Sequence, residues 1–101
     1  MVAVLMALEL HLPMAQSLKD KRGVLKSVQA RLRNDLHVSV AEVDHQDLWQ
    51  RAMLEVAIAA SSEVGGRKVA QNVERVVVRD PRIELIAVDV SVAGVPREVE
   101  P

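Results

Sequence analysis

The chain has 101 residues, of which 50% are hydrophobic and 27% are charged, as is typical of a single soluble globular domain. It contains no cysteine, which excludes disulfides, thiolate metal sites and a cysteine nucleophile, so we expect a cytoplasmic protein. The formal net charge of −1 excludes a protein that grips nucleic acid by its overall charge, and any such contact must come from a local patch.

The N-terminal part of the chain predicts a strand followed by a helix. Residues 2–12 alternate between apolar positions and small or polar positions, which is typical of a half-buried strand. This apolar stretch is shorter than the ~20 residues that a membrane span requires, so we expect no membrane segment. Ser17 and Asp20 then resemble a capping box. The apolar residues that follow at helical spacing are Leu18, Leu25, Val28, Leu32 and Leu36.

The middle of the chain predicts a hairpin and a second helix. Residues 38–44 are rich in β-branched side chains and residues 50–61 alternate, so the short polar segment between them indicates a hairpin. Ser62 is a plausible cap for the second helix, which Pro81 ends. Gly65–Gly66 lacks the full spacing of a phosphate-binding loop, so we expect these glycines only to loosen the start of the helix.

Residues 82–92 predict the last strand and complete a β-α-β-β-α-β order. With right-handed crossovers, this order predicts an α+β, ferredoxin-like fold, in which two helices cover one face of a four-stranded antiparallel sheet. We place this single domain at residues 1–93 and expect residues 94–101 to form a flexible C-terminal tail. The predicted core-facing residues of the last strand are Ile86, Val88, Val90 and Val92, with Leu85 on the opposite face.

The first helix carries a second, basic stripe. At ~100° per residue, four cations lie within roughly 60° of one another with few acidic residues between them, and Lys21 adds charge nearby: Lys19, Arg22, Lys26 and Arg33. The stripe begins at a helix N-terminus, where free N–H groups already favour anions such as phosphates. A solvated face that only confers solubility is the alternative interpretation. The predicted anion- or RNA-binding residues are Lys19, Lys21, Arg22, Lys26 and Arg33.

A polar corner is predicted where the hairpin meets the end of the first strand and the start of the first helix. One interpretation is structural: Asp44 and Asp47 accept backbone N–H groups in the turn, and Trp49 covers the end of the core. A partner-binding surface is compatible with this interpretation, whereas metal binding by His11, Asp44, His45 and Asp47 and acid–base chemistry by His45 are the alternatives. No metal signature, cofactor fingerprint or nucleophile motif supports them, so we predict no metal, no cofactor and no enzymatic activity. The corner comprises His11, Asp44, His45, Asp47, Trp49 and Arg51.

The open face of the predicted sheet mixes small apolar residues with carboxylates. The chain has no Phe and no Tyr, which argues against base stacking on the sheet as in ribonucleoprotein-type domains. An exposed apolar patch calls for a partner, so we predict a homodimer or a protein partner over this face. The open-face residues include Leu5, Ala7, Met53, Ala57, Ala59 and Ala87, with Glu9, Glu55 and Asp89.

Two stretches of the chain, LELHLPMAQSLKDKRGVLKSVQARLR and VSVAEVDHQDLWQRAMLEVAIAAS, resemble the YlxP-like family of small bacterial proteins of unknown function. The matching elements are HLP, SLKDKR and VAEVDHQDLWQRA, and the resemblance covers most of residues 1–62. It implies a ferredoxin-like fold and carries over no catalytic residue. Members often neighbour translation and ribosome-maturation genes, which implies a role linked to RNA or the ribosome.

We therefore expect a non-enzymatic accessory protein acting on RNA or a ribonucleoprotein through the basic helix. The alternative is a small-ligand regulatory or protein-interaction module that acts as a homodimer. It would bind an anionic metabolite at the end of the sheet that carries His11 and His45, or across the dimer interface.

Overall fold

The computed structural model describes residues 1–94 and has the predicted ferredoxin-like fold. The antiparallel sheet has the strand order β2-β3-β1-β4, so β1 and β3 are its inner strands. Its elements are β1 (Val2–His11), α1 (Leu18–Leu36), β2 (Ser39–Asp44), β3 (Arg51–Ala60), α2 (Glu63–Arg79) and β4 (Glu84–Gly94). Strand β4 thus includes the first residue of the predicted tail, and residues 95–101 lie outside the described part. Neither helix is long and apolar enough to cross a membrane within residues 1–94.

The core lies between the helix layer and one face of the sheet. Strand β1 contributes alternate residues, as its pattern predicts, and each is at most 2% exposed: Val4, Met6, Leu8 and Leu10. From α1 the core receives Leu25, Val28 and Leu32, and from α2 it receives Ala70, Val73 and Val77. An interior this poor in aromatic residues is filled by aliphatic side chains that interdigitate, and the apolar area that they remove from water stabilises the fold.

Both helices begin at the predicted serine caps. The Ser17 hydroxyl accepts the Asp20 N–H at 3.0 Å, and the Asp20 carboxylate accepts the Gln16 N–H at 3.0 Å. The Ser62 hydroxyl accepts the Gly65 N–H at 3.1 Å. These bonds satisfy N–H groups that have no partner within the helices and so fix where each helix starts.

The prediction for the first half of β4 is wrong, and Val90 in its second half, also predicted to face the core, is 38% exposed. The pairing of β1 with β4 shifts between Glu9, which lies opposite Ala87, and Leu10, which lies opposite Leu85. Ile86 is the additional residue of this β-bulge, and it is 47% exposed instead of buried. Leu85 packs against the core instead of lying on the open face. A bulge reverses the alternation on one side of itself, and the apolar run of β4 gives no sign of where that occurs.

Gly66 brings α2 close to the sheet, a role that the sequence did not indicate. Gly65 and Gly66 both lie in the first turn of α2, and Gly66 is buried. A Cβ atom on Gly66 would lie 2.7 Å from Cγ2 of Val4 and 3.3 Å from Cβ of Ala60. Only a residue without a side chain fits this contact between α2, β1 and the end of β3.

Candidate functional site

The exposed face of α1 carries the predicted basic row. Lys19, Arg22 and Lys26 are exposed, and none of them has an ion-pair or hydrogen-bond partner in the described part of the chain. The acidic residues of α1, Asp20 and Asp35, fall on the opposite side of the helix at ~100° per residue. The three cations therefore form a positive surface that no neighbouring carboxylate on the helix neutralises.

Arg33 extends this row but also has a structural contact. Its guanidinium donates to Oε1 of Gln29 at 3.2 Å and to the carbonyl of Val40 at 2.9 Å. Since Val40 belongs to the edge strand β2, Arg33 ties the C-terminal half of α1 to that edge while remaining exposed. Arg33 is thus the member of the row with the least freedom to reach a ligand.

The prediction that Lys21 binds anions at the surface is wrong. Lys21 is only 1% exposed, and its Nζ donates to the carbonyls of His45 at 2.8 Å and of Gln46 and Arg51 at 3.3 Å each. Its Nζ also lies 3.0 Å from Oε2 of Glu42. Sequence periodicity contains the signal, because Lys21 precedes Leu25 by four residues and so falls on the apolar face of α1. A lysine there is buried only when it finds such partners.

Lys21 holds the hairpin loop, residues 45–50, against the first turn of α1. His45 has a left-handed backbone with φ of 60°, an uncommon conformation for a residue other than glycine. Its N–H donates to the Asp44 carboxylate at 2.8 Å, and its carbonyl accepts both Lys21 Nζ and the Leu48 N–H. The loop is therefore fixed by a side chain that lies 24 residues earlier in the chain.

Two predictions for the polar corner need correction. Trp49 does not cover the end of the core: it is 51% exposed, and its indole N–H has no hydrogen-bond partner within residues 1–94. Gln50 closes this end instead, by donating to the carbonyls of Pro13 at 3.2 Å and Ala15 at 3.1 Å. Asp44 accepts a backbone N–H as predicted, whereas Asp47 makes no such bond among the described residues.

The remaining corner residues meet at one rim of the sheet, as the fold predicts. Glu9 Oε1 accepts from Arg51 at 2.8 Å and lies 3.3 Å from Nε2 of His45. Arg51, assisted by His45, holds the pKa of Glu9 below its ordinary value. His11 Nδ1 lies 2.6 Å from Oε1 of Glu84. The side chains of Arg51, His11 and His45 thus each already have a carboxylate partner.

The rim contains no evident metal site. Residues 1–94 include no group of three or more His, Asp and Glu side chains that could hold a metal ion. The rim histidines each face one glutamate, and the arrangement is that of an internal ion-pair network at a strand end. These ion pairs connect the ends of β1, β3 and β4 to one another.

Charge is divided between the two layers of the fold. The helices α1 and α2 contain ten Lys and Arg but four Asp and Glu, a formal charge of +6. The other residues within 1–94 comprise two basic residues, both arginines, and eight acidic residues, which gives a formal charge of −6. A chain of nearly zero net charge therefore has basic helices and an acidic remainder made of its strands and loops.

The fold and the surface define a class: a small ferredoxin-like α+β protein with a basic helix layer and an open, acidic sheet. The chain belongs to the family described as "Protein of unknown function (DUF503)", whose model matches residues 3–90. It is 41% identical over 70 residues to the "Uncharacterized protein YlxP" of Bacillus subtilis (strain 168), a match over 69% of this chain and 76% of that protein. This confirms the resemblance to the YlxP-like family.

A search of solved structures supports the fold. The chain is similar to a de novo designed protein with a ferredoxin fold, solved by solution NMR, with a TM-score of 0.55 and 15% identity. The match covers 100% of this chain and 96% of the designed one. At this identity the likeness concerns the arrangement of helices and strands alone.

Proposed function

We propose that this protein is a non-enzymatic accessory protein that binds RNA through the exposed basic face of α1. The observation that carries the proposal is the row formed by Lys19, Arg22 and Lys26, whose charges have no carboxylate partner in the described chain. Charges that the fold does not use internally are available to the phosphates of a polyanion. The helix-layer charge of +6 adds a wider attractive field around the row.

The length of the row suits an extended strand of RNA. With a rise of ~1.5 Å per residue, Lys19 and Lys26 lie ~10 Å apart along the helix axis. Arg33 lies ~10 Å further on. Contacts of this kind go to the backbone and position the nucleic acid without reading its sequence, so binding should tolerate changes of base.

Trp49 is an exposed aromatic side chain in the loop at the N-terminal end of α1, the end at which the row begins. It is 51% exposed in the loop that Lys21 fixes to the first turn of α1, the turn that carries Lys19. Aromatic side chains beside a basic groove stack on the bases of single strands, at ~1–3 kcal/mol per base. An unpaired base that leaves the phosphate row at the N-terminal end of α1 would stack on this indole. Since Trp49 is the only tryptophan of the chain, its fluorescence reports that contact directly.

The test is a salt-dependent binding measurement with charge-reversed variants. Fluorescence anisotropy of a labelled oligouridine is recorded with the native protein, with Arg22→Glu/Lys26→Glu and with Lys68→Glu/Arg75→Glu. The last variant makes the same change of charge on exposed positions of α2. Three phosphate contacts to a single strand predict a slope of log K against log salt of about −2. The α1 variant should lose at least about tenfold in affinity, and the α2 variant clearly less.

Two results would count against the proposal, and a third would count against the stacking contact alone. Equal losses in the two variants would mean that binding follows total charge rather than the α1 row. No measurable binding by the native protein at low salt would remove RNA as the partner. Unchanged Trp49 fluorescence at saturation would remove the stacking contact while leaving the phosphate contacts in place.

The second candidate function is a small-ligand module that acts as a homodimer. The exposed apolar surface of the open sheet favours it, with Leu5 at 48% exposure. Its proposed anion site has less support, since Arg51, His11 and His45 already face carboxylates. A thermal-shift screen of nucleotides, amino acids and metabolites distinguishes this function from RNA binding, because a ligand module is stabilised by one compound.

A further inference from the structure

The open face of the sheet forms a shallow groove that no described element covers. The groove encloses about 700 Å³, and its floor consists mainly of small side chains on four strands. Ala7 of β1 and Ala57 of β3 lie in it, beside Leu5, whose side chain is 48% exposed. Small residues leave room for another backbone to approach, and the exposed leucine supplies apolar area for it to bury.

Two carboxylates flank the floor of this groove. Glu55 of β3 and Asp89 of β4 both pair with Ala7 of β1, so the three residues form one row across the sheet. Within residues 1–94 they are the only ionisable residues that line the groove. Both are exposed, and neither forms an ion pair within residues 1–94. Glu9, two positions along β1 from Ala7, is by contrast bound by Arg51 and carries no free charge of this kind.

The spacing of these carboxylates matches the width of a helix. Strands lie ~4.8 Å apart, so residues on β3 and β4 are ~10 Å apart across β1. An α-helix with its side chains is ~10 Å wide. A helix lying along β1 would rest on Ala7 and Leu5 with one carboxylate at each flank. Covering a bare sheet face with a helix is also a standard way to complete the layers of an α+β fold.

The charges select the kind of helix that fits. RNA is disfavoured here because its phosphates would face Glu55 and Asp89. A second copy of the chain stacked centrally on the groove would bring the same carboxylates of both chains together. A helix with apolar residues on one side and Lys or Arg along both flanks has neither difficulty.

We propose that the open sheet face binds an amphipathic, cationic helix of a basic protein. Its apolar residues pack on Leu5, Ala7 and Ala57, and its flanking cations pair with Glu55 and Asp89. The helix occupies the face opposite α1, so this site is independent of the proposed RNA contact. The two surfaces together would let the chain contact RNA and a basic protein at the same time.

The test uses a blocked peptide built from repeats of Leu-Lys-Lys-Leu-Leu-Lys-Leu and the same peptide with Glu for every Lys. Binding is measured by isothermal titration, and the contact is mapped by shifts of backbone amide NMR signals. The lysine peptide should bind and shift the amides of Leu5, Ala7 and Ala57, and the glutamate peptide should not bind. The double variant Glu55→Gln/Asp89→Asn should reduce the affinity for the lysine peptide by about tenfold. The control Asp35→Asn/Glu63→Gln removes the same charge from exposed helix positions and should leave the affinity unchanged.

Three results would overturn the proposal. Equal weakening by the two variants, or shifts confined to other surfaces, would mean that the peptide follows overall charge. A free protein that is dimeric at micromolar concentration, with the amides of Ala7 and Ala57 protected from exchange at the interface, would assign the groove to a second copy instead. Leu5→Ala tests the apolar contact, since it should reduce the affinity for the lysine peptide without changing any charge.

Discussion

The ammonium group of Lys21 lies where α1, β2 and the loop of residues 45–50 meet. It donates to three backbone carbonyls and pairs with Glu42, so its charge is compensated although the side chain is 1% exposed. Buried carbonyls without donors would each cost free energy, and a buried ammonium without acceptors would cost more. Lys21 therefore determines the shape of the loop that presents Trp49.

Replacing Lys21 with methionine tests this role. Lys21→Met keeps the apolar stem but removes the ammonium donor to the carbonyls of His45, Gln46 and Arg51 and the ion-pair partner of the half-buried Glu42. We expect a loss of about 3 kcal/mol in the free energy of unfolding, measured by urea denaturation. Lys26→Met, on the exposed face of the same helix, should change it by less than about 0.5 kcal/mol. A similarly small change for Lys21→Met would mean that the lysine does not fix the loop.

Asp80 and Arg82 link the stability of the fold to pH. The Asp80 carboxylate is 4% exposed and accepts the Arg82 backbone N–H at 3.0 Å and its guanidinium at 2.9 and 2.7 Å. These bonds hold the pKa of Asp80 below its ordinary value of 3.8. A carboxyl group with a lowered pKa in the folded state stabilises the fold above its unfolded pKa, and this contribution is lost as the pH falls through the folded value.

The fold should therefore lose stability as the pH falls below about 4. Urea denaturation at pH values from neutral to strongly acidic measures this loss in the native protein and in Asp80→Asn. The variant should be less stable than the native protein near neutral pH, and the difference should shrink in acid, where Asp80 is protonated. A difference that stays constant across this range would contradict the linkage.

At the scale of single elements, α1 has one face that packs into the core and one face that is exposed. One carries Leu25, Val28 and Leu32 with Lys21 into the core, and the other presents Lys19, Arg22 and Lys26 to solvent. Substitutions on the second face should change binding and leave folding intact, which is what makes the charge-reversal experiment interpretable.

The two helices contain glycines with opposite constraints. Among the described residues, no other part of the chain comes within 4 Å of where a Cβ on Gly23 in α1 would lie, whereas a Cβ on Gly66 in α2 would lie 2.7 Å from Val4. Gly23→Ala should raise the free energy of unfolding by about 1 kcal/mol, because alanine favours the helix. Gly66→Ala should lower it, because α2 would have to move away from β1. Thermal and urea denaturation measure both changes, and destabilisation by Gly23→Ala or a neutral Gly66→Ala would contradict the packing described here.

Sequence periodicity predicted the inner strands and both helices because each has one buried face that repeats regularly. Strand β4 was the exception, since the bulge at Ile86 arises from its pairing with β1 and not from its own residues. The prediction for Lys21 failed for a different reason. Its charge indicated an exposed residue, although its position on the helix, four residues before Leu25, belongs to the buried face.

The hairpin loop shows a different limit of sequence reasoning. Trp49 was expected to cover the core because it is large and apolar, yet the contacts that close this end come from Gln50. Its role depends on the carbonyls of Pro13 and Ala15, which only the folded chain brings near. The convergence of His11 and His45 at one rim, by contrast, followed from the strand order alone.

At the scale of the whole molecule, the separation of charge is the feature that links the two proposals. The helix layer has a formal charge of +6, and the rest of residues 1–94 has −6. Overall composition conceals this division, because the formal charge of the helices cancels that of the other residues within 1–94. A protein organised in this way can attract a polyanion to one side and a polycation to the other.

The central claim is that RNA contacts the exposed face of α1, and mapping by amide NMR tests it most directly. Isotope-labelled protein is titrated with an oligouridine at low salt, and the shifted signals are placed on the structure. We predict the largest shifts at Lys19, Arg22, Lys26 and the Trp49 indole, with none at Ala7 or Ala57, and loss of all shifts at high salt. Shifts concentrated on the open sheet face, or none on α1 at saturation, would contradict the account.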